Sequence, residues 1–219
     1  MTSTRNNQEI FEITLVRHGE SVGNAEGYYQ GQHDFPLTET GIKQVKALCQ
    51  RWLIERKKYE LVISSPLTRA RQTAEILSQT LDIPLEINPL WMERDAGKIS
   101  GLRPQEADDI YPRPDFMSIY QPIGISGESQ WQLYLRAGRA VEDLMNHSPG
   151  SYLVVSHGGL LNMVLYAILG ITPQANFQGA HFHFRNASFG LLTYYPDSHS
   201  WVVDRLNDRQ HWLEAQDDN

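Results

Sequence analysis

The chain has 219 residues, a formal net charge of −7 at pH 7 and a 41% share of hydrophobic residues. This composition is typical of a globular protein that can bury a core without disulfides or structural metals. The single Cys49 excludes an intramolecular disulfide and a multi-cysteine zinc site, and its position in a helical pattern predicts a small core residue. The negative charge argues against a general nucleic-acid binder, which needs a broad basic surface.

The sequence contains no segment of the membrane-spanning type. Residues 1–10 are polar and lack a signal-peptide core, and the longest apolar run, 160–169, is too short to span a bilayer. We therefore expect a cytoplasmic protein with no membrane partner. Residues 214–219 are polar and are predicted to be disordered. Tryptophans such as Trp201 and Trp212 could be interface residues of a homodimer, although tryptophans packed against their own chain are commoner than interface tryptophans.

Buried strands alternate with amphipathic helices along the chain. In chain order the pattern predicts a strand at 11–16, a helix from the N-cap Thr38 to 53, a strand at 61–63, a helix over 70–81, a weaker strand at 85–87, a helix over 130–147, a strand at 152–155, a helix from 160, and a hairpin of strands 189–195 and 201–206. This order predicts a single α/β domain over residues 1–219. We expect a three-layer α/β/α sandwich with a mostly parallel sheet.

Residues 94–128 interrupt this alternation. The segment is rich in proline and glycine, and only a short helix near 105–110 fits its pattern. A long irregular insertion in a compact domain is often a lid or a substrate loop. We predict that role for the segment.

An arginine and a histidine stand side by side where the first predicted strand ends, in Arg17-His18-Gly19. An imidazole can attack phosphorus when an acceptor holds its second ring nitrogen. The guanidinium of Arg17 offers a planar fork of donors that suits phosphate oxygens. Because an isolated Arg-His pair is more often structural, this interpretation depends on the rest of the chain.

Two further segments place similar groups at strand ends, where parallel sheets bind their ligands. The segment 64–74 opens a helix and puts Arg69 in its first turn, where free amides and the helix dipole favour an anion. Arg71 points elsewhere on that helix and is predicted to be structural. In Ser156-His157-Gly158-Gly159, His157 could donate to phosphate while the Gly158 backbone approaches closely.

Together these segments resemble the signature blocks of the histidine phosphatase superfamily, which includes phosphoglycerate mutases and broad-specificity phosphatases. The matching blocks are Arg17-His18-Gly19-Glu20-Ser21, Ser65-Pro66 with Arg69, and Ser156-His157-Gly158-Gly159, in the family's order between about residues 13 and 207. The resemblance implies that His18 is the phosphorylated nucleophile and that Arg17, Arg69 and His157 hold the phosphate. It also implies substrate contacts from Asn24, Gln30 and Gly158, and neither a metal nor a cofactor.

The leaving oxygen needs a proton, and this family often supplies it from a glutamate at the position that Glu93 occupies. A carboxyl group in a partly dry pocket can be kept protonated and can later act as a base toward water. Asp95 is the rival candidate, and a surface glutamate beside Arg94 is the alternative without a catalytic role. Many members continue with a Gly-x-Trp-Glu-Gly-like block, whereas residues 97–101 read Gly-Lys-Ile-Ser-Gly. That departure weakens the match around Glu93.

Three functions fit this set of residues. Hydrolysis of a small phosphorylated metabolite is favoured over mutase-type phosphotransfer, because the insertion mixes Lys98, Arg103 and Arg113 with acidic and apolar residues and lacks a dense cationic lid. The segment 127–129, Gly-Glu-Ser, also resembles the phosphatase branch. A phospho-ligand-binding module without turnover is the third function, although the set of candidate residues is complete. The pair His181 and His183 could suggest a metal, but a packed or solvated strand face is commoner.

Overall fold

The alternating pattern builds one six-stranded sheet within residues 9–212, the part of the chain that the computed structural model describes. The strands are β1 (Phe11–Arg17), β2 (Leu61–Ser64), β3 (Leu85–Ile87), β4 (Gly150–Ser156), β5 (Phe189–Tyr195) and β6 (Ser200–Asp208). The α-helices are α1 (Val22–Ala25), α2 (Glu39–Ile54), α3 (Thr68–Leu81), α4 (Pro104–Ile110), α5 (Gln130–Met145) and α6 (Gly158–Leu169). Four 3-10 turns span Pro89–Trp91, Gly97–Ile99, Ala175–Phe177 and Pro196–Ser198.

The sheet order is β3-β2-β4-β1-β5-β6. Strands β3, β2, β4 and β1 are parallel to one another, and the hairpin β5-β6 adds antiparallel strands beside β1. Two hydrophobic clusters cover the two faces of the sheet, one formed with α5 and α6 and the other with α2 and α3. The predicted three-layer α/β fold with a mostly parallel sheet is confirmed.

Strand β1 shows how the sequence builds both layers. Its residues alternate between faces, so Ile13 and Leu15 enter the first cluster while Val16 enters the second. Thr38 caps α2 by accepting from the Gly41 N–H at 3.0 Å, as its position before the apolar pattern predicts. Cys49 is buried in the second cluster, which is the predicted role of this residue.

The carboxyl ends of β1, β2 and β4 lie next to one another. Arg17 is paired with Ser156 across β1 and β4, and Ser64 is paired with Val155 across β2 and β4. The residues that follow these strands therefore leave the sheet at one place. This register brings the three sequence segments with candidate catalytic residues together.

The segment 94–128 is largely irregular and contains α4 as its one α-helix. A small cluster of Ala96, Ile99 and Ala107 gives it a core of its own, with Tyr29 packed against that cluster. In the described part of the chain, no helix is long and apolar enough to cross a membrane. Residues 1–8 and the predicted disordered segment 214–219 lie outside the described residues.

Candidate active site

His18 follows β1 directly and is buried, with 2% of its surface exposed. Its Nδ1 lies 2.7 Å from the Gly19 carbonyl oxygen, to which it donates, and its backbone N–H donates to Ser156 O at 3.0 Å. Since Nδ1 carries the proton, Nε2 keeps a free lone pair. Burial, assisted by the positive charges of Arg17 and Arg69, holds the pKa of His18 well below its usual value. The ring is therefore a neutral imidazole at pH 7.

Two arginines stand beside this ring in fixed positions. Arg17 donates through Nη1 to Phe184 O at 2.7 Å, and Arg69 donates to Gly31 O at 2.7 Å and to His33 O at 3.0 Å. Burial lowers the pKa of both guanidinium groups, that of Arg69 to about 10, while the nearby Glu93 opposes the shift. Both arginines remain cationic at pH 7.

His157 is fully buried, and its ring centroid lies 5.1 Å from that of His18. Ser65 Oγ accepts from the Leu67 N–H at 3.3 Å and lies 2.8 Å from His157 Nε2. When Ser65 donates to Nε2, the imidazole proton is on Nδ1. His157 can then donate from Nδ1, as predicted from the sequence, and Ser65 sets its tautomer. Burial, followed by the charge of Arg69, holds the pKa of His157 well below its usual value.

The buried neutral histidines make a stability prediction. The free energy of unfolding should be insensitive to them above about pH 7 and should fall below about pH 6.5, because only the unfolded chain then takes up protons at these positions. His211 is a third case, since burial lowers its pKa to about 4. Each contributes a slope of about 1.4 kcal/mol per pH unit.

The His211 contribution can be tested with His211→Phe, because the ring stacks on Phe189 and phenylalanine preserves that packing. Urea unfolding at pH 7.5, 6.0 and 5.0 should show a shallower pH dependence for this variant than for the wild type. Equal slopes in the two proteins would contradict the assignment of His211 as a buried neutral group.

Glu93 lies in the loop after the turn Pro89–Trp91, against the start of α6. Its carboxylate accepts from the N–H groups of Arg94 at 2.8 Å, Gly159 at 3.1 Å and Leu160 at 3.1 Å. A Cβ on Gly159 would lie 2.5 Å from Glu93 Oε1, so a larger residue there would displace this carboxylate. The side chain is therefore held in one place near the guanidinium groups of Arg17 and Arg69.

The rival carboxylate belongs to a different part of the loop. Asp95 Oδ1 accepts from the Gly97 N–H at 2.8 Å and so holds the turn that begins the insertion. Its backbone N–H and carbonyl are both bonded to Glu128. Glu93, by contrast, is near enough to Arg17 and Arg69 to raise their pKa values. The geometry favours Glu93 over Asp95 as the proton donor.

The three predicted substrate-binding residues are placed differently. Asn24 Oδ1 accepts from the Ser21 N–H at 3.2 Å. The Nδ2 group of Asn24 is the one that could donate a hydrogen bond to a phosphate. Gln30 Oε1 accepts from Ser21 Oγ at 2.7 Å, so Gln30 supports Ser21 and does not line the cavity beside Arg17. A Cβ on Gly158 would lie at an ordinary contact distance of 3.7 Å from the Arg17 guanidinium, so Gly158 adjoins Arg17 at the start of α6.

Asn186 is a residue of the site that the sequence did not indicate. Its Nδ2 donates to Asn24 Oδ1 at 2.9 Å and to the carbonyl oxygens of His18 and Gly19 at 3.2 and 3.3 Å. The Asn186 amide thus links the loop that contains His18 and Gly19 to helix α1. The surrounding segment 178–187 alternates His and Phe at 181–184, but nothing in it points to this role of Asn186.

The interpretation of His181 and His183 as part of a strand face is wrong. Both lie in an irregular stretch before β5 and line a cavity of about 310 Å³ beside Arg17 and Gly158. The alternation of His and Phe mimics a strand, but the backbone here lies against α6, where the Phe182 N–H donates to Asn162 Oδ1 at 2.8 Å, before the chain enters β5. Within residues 9–212 no group of three histidine, cysteine or acidic side chains is arranged to hold a metal.

Arg94 also lines this cavity, and its guanidinium lies 5.1 Å from the Phe177 ring centroid. Burial lowers its pKa, with Glu93 opposing the shift. A larger cavity of about 800 Å³ lies under the insertion and shares Phe177 with the first, but His18, Arg69 and Glu93 do not line it. These three residues do not line the smaller cavity either, but Arg17, which belongs to the same cluster of residues, does.

Four buried donors of this cluster have no hydrogen-bond partner among the described residues. They are the Nε atoms of Arg17, Arg69 and Arg94 and the Nδ1 atom of His157. An unpaired buried donor costs about 1–3 kcal/mol, and more when it is charged. A multiply charged anion with several acceptor oxygens would satisfy them together. The arrangement of these donors therefore suits an anionic ligand.

Comparison with known proteins identifies the family. The family model described as histidine phosphatase superfamily (branch 1) matches residues 13–209. The chain belongs to the histidine phosphatase superfamily. The predicted family, and the predicted enzyme class of a phosphatase of this superfamily, are thereby confirmed.

Individual members of the superfamily extend the comparison. The chain is 34% identical over 209 residues to the metal-independent phosphoserine phosphatase of Arabidopsis thaliana, covering 93% of this chain and 84% of that protein. It is 30% identical over 212 residues to the probable phosphoglycerate mutase GpmB of Yersinia pestis (strain Pestoides F), covering 92% and 95%. The structure of a mycobacterial glucosyl-3-phosphoglycerate phosphatase with VO3 superposes with a TM-score of 0.75 at 26% identity, covering 90% and 98%.

Proposed function

We propose that this protein is a metal-independent phosphomonoesterase that acts through a phosphohistidine on His18. The observation that carries the proposal is the group of unpaired buried donors on Arg17, Arg69 and His157 around a neutral imidazole. Fixed cations stabilise the charge that spreads over the phosphate oxygens in the transition state. The fixed Nδ1–H bond to Gly19 leaves Nε2 as the attacking atom.

Two balanced steps follow from this arrangement. His18 Nε2 attacks phosphorus, the bond from phosphorus to the ester oxygen breaks, and protonated Glu93 gives its proton to the leaving oxygen. A water molecule then attacks the phosphohistidine while the Glu93 carboxylate takes a proton from it. The phosphorus–nitrogen bond breaks, and phosphate and neutral His18 are released. Glu93 thus returns to the protonated form for the next cycle.

The substrate we propose is a small phosphorylated metabolite with an anionic group near its ester oxygen. The cavity of about 310 Å³ beside Arg17 has room for a small leaving group, and Arg94 places a cation in its wall. The names of the Arabidopsis and Yersinia relatives refer to phosphoserine and phosphoglycerate, which both carry a carboxylate. Such a carboxylate could pair with the Arg94 guanidinium in the cavity wall.

Mutase-type transfer is the second candidate, favoured by the Yersinia relative's name. A mutase must hold a second phosphate and exclude water. Arg103 and Arg113 of the insertion do not serve that purpose here, because Arg103 is paired with Glu26 at 3.6 Å and Arg113 with Asp108 at 3.3 Å on the surface. Hydrolysis therefore fits the described residues better.

The test is hydrolysis of p-nitrophenyl phosphate, phosphoserine and 3-phosphoglycerate in excess chelator, with a coupled assay for 2-phosphoglycerate. We expect phosphate release from all three and no 2-phosphoglycerate. Loss of activity on chelation would contradict the metal-independent mechanism. Formation of 2-phosphoglycerate faster than phosphate would establish the mutase instead. Tight phosphate binding without turnover of a broad panel of phosphoesters would indicate the non-catalytic module.

A further inference from the structure

Arg136 of α5 binds the main chain just before Glu93 and at Glu93 itself. Its Nη1 donates to Leu90 O at 2.9 Å and to Met92 O at 2.6 Å, and its Nη2 donates to Glu93 O at 3.1 Å. Three carbonyls of one irregular loop therefore converge on a single guanidinium. Residues 92–96, which follow the turn Pro89–Trp91, have no regular secondary structure, so the shape of this loop depends on such contacts.

Glu128 completes the arrangement from the opposite side. It accepts from Arg136 Nε and Nη2 at 2.7 Å each, and its Oε2 also accepts from the Asp95 N–H at 3.0 Å. The Glu128 N–H donates to Asp95 O at 2.8 Å. Although burial opposes it, the hydrogen bond from Arg136 lowers the pKa of Glu128, which keeps this carboxylate ionised. The pair therefore fixes the loop on both sides of Glu93.

The Glu93 side chain is fixed separately, by the N–H groups at the start of α6. These two sets of contacts have different tasks. Helix α6 orients the carboxylate, and the bidentate pair fixes the backbone that carries it. A group that transfers a proton loses much of its effect when it is displaced by about 1 Å, because proton transfer depends on distance and alignment.

We infer that Arg136 and Glu128 are positioning residues for the proton transfer by Glu93, and that this is the function of the Gly-Glu-Ser segment before α5. The inference rests on the proposed role of Glu93. The pair has side-chain exposures of 16% and 19%, so it is shielded from solvent screening. The contacts of both residues to this loop are with its main chain.

The readout is the dependence of kcat/KM on the basicity of the leaving group, measured with a series of aryl phosphates. A good leaving group such as p-nitrophenolate needs little protonation, whereas a phenolate or alkoxide needs a proton as the bond breaks. We expect Arg136→Lys and Glu128→Gln to lower kcat/KM for phenyl phosphate by about 10- to 100-fold and for p-nitrophenyl phosphate by about threefold or less. Glu128→Gln preserves side-chain volume, so it supplies the result if Arg136→Lys does not fold.

The chain offers a matched control in Arg51 and Asp208, an equally bidentate pair of similar burial at 2.7 and 3.0 Å that joins α2 to β6. Arg51→Lys should leave the leaving-group dependence parallel to that of the wild type. Glu93→Gln distinguishes a failure of the proposed acid role of Glu93 from a failure of the positioning role of Arg136 and Glu128. If it leaves that dependence unchanged, Glu93 is not the acid and both proposals fail. If Glu93→Gln steepens it while Arg136→Lys and Glu128→Gln run parallel to the wild type, only the positioning role is overturned.

Discussion

His18→Ala is expected to lower kcat/KM for p-nitrophenyl phosphate by about 10⁴-fold or more, because it removes the atom that forms the covalent intermediate. Alanine removes the imidazole but leaves Arg17, Arg69 and His157 in place, so phosphate should still bind. The measurement is steady-state kinetics together with the affinity for inorganic phosphate. Lost turnover with retained phosphate affinity separates a nucleophile from a residue that only binds.

His147→Ala is the control for this change. His147 follows α5 and packs on Tyr152 near the beginning of β4. It therefore lies at the amino ends of the parallel strands, whereas His18 follows the carboxyl end of β1. Its removal should leave kcat/KM within about twofold of the wild type, since surface substitutions away from a site have small effects. A His18→Ala protein that still hydrolysed aryl phosphates at a tenth of the wild-type rate would contradict the proposed mechanism.

Arg69→Met should lower kcat/KM by about 10³-fold and weaken inhibition by inorganic phosphate. Removing one fixed donor from an anionic transition state typically costs about 10²–10³-fold, and here a buried charge is removed as well. Arg69 also holds the carbonyls of Gly31 and His33, so we expect a lower melting temperature. The effect on phosphate binding should be measured well below that temperature.

Arg71→Met is the matched control, two residues along the same helix. Arg71 is 59% exposed and, among residues 9–212, pairs with Glu75 alone at 3.0 Å, an interaction worth about 0.3–0.5 kcal/mol. This variant should retain wild-type kinetics and phosphate inhibition. Equal losses in Arg69→Met and Arg71→Met would indicate that helix α3 tolerates no change, and would remove the evidence for a specific phosphate contact.

Much of the fold could be predicted from sequence periodicity. The helix that follows Thr38, the four parallel strands and the terminal hairpin carry strong local patterns, and the structure contains each of them. Helix α5 ends at Met145, two residues earlier than predicted, with the polar Asn146 as its C-cap. The segments 94–128 and 178–187 could not be predicted, because their conformations depend on distant contacts.

The candidate site was predictable where residues lie at the ends of strands. His18, Arg69 and His157 follow or closely follow β1, β2 and β4, and the parallel register brings such positions together. Their catalytic roles stay predictions. Asn186 and Arg136 could not be found from the sequence, because each acts on the main chain of a loop that is far away along the sequence. An isolated asparagine or arginine carries no local sign of such a partner.

The central claim is the covalent intermediate on His18, and its capture tests that claim most directly. The protein should be mixed with ³²P-labelled substrate, quenched within milliseconds in alkali, digested and analysed by mass spectrometry. We predict a phosphoramidate that is stable to alkali and labile to acid, located on His18 and absent from His18→Ala. Label on another residue, or a burst of product with no labelled protein under conditions that trap a control phosphohistidine, would contradict the account.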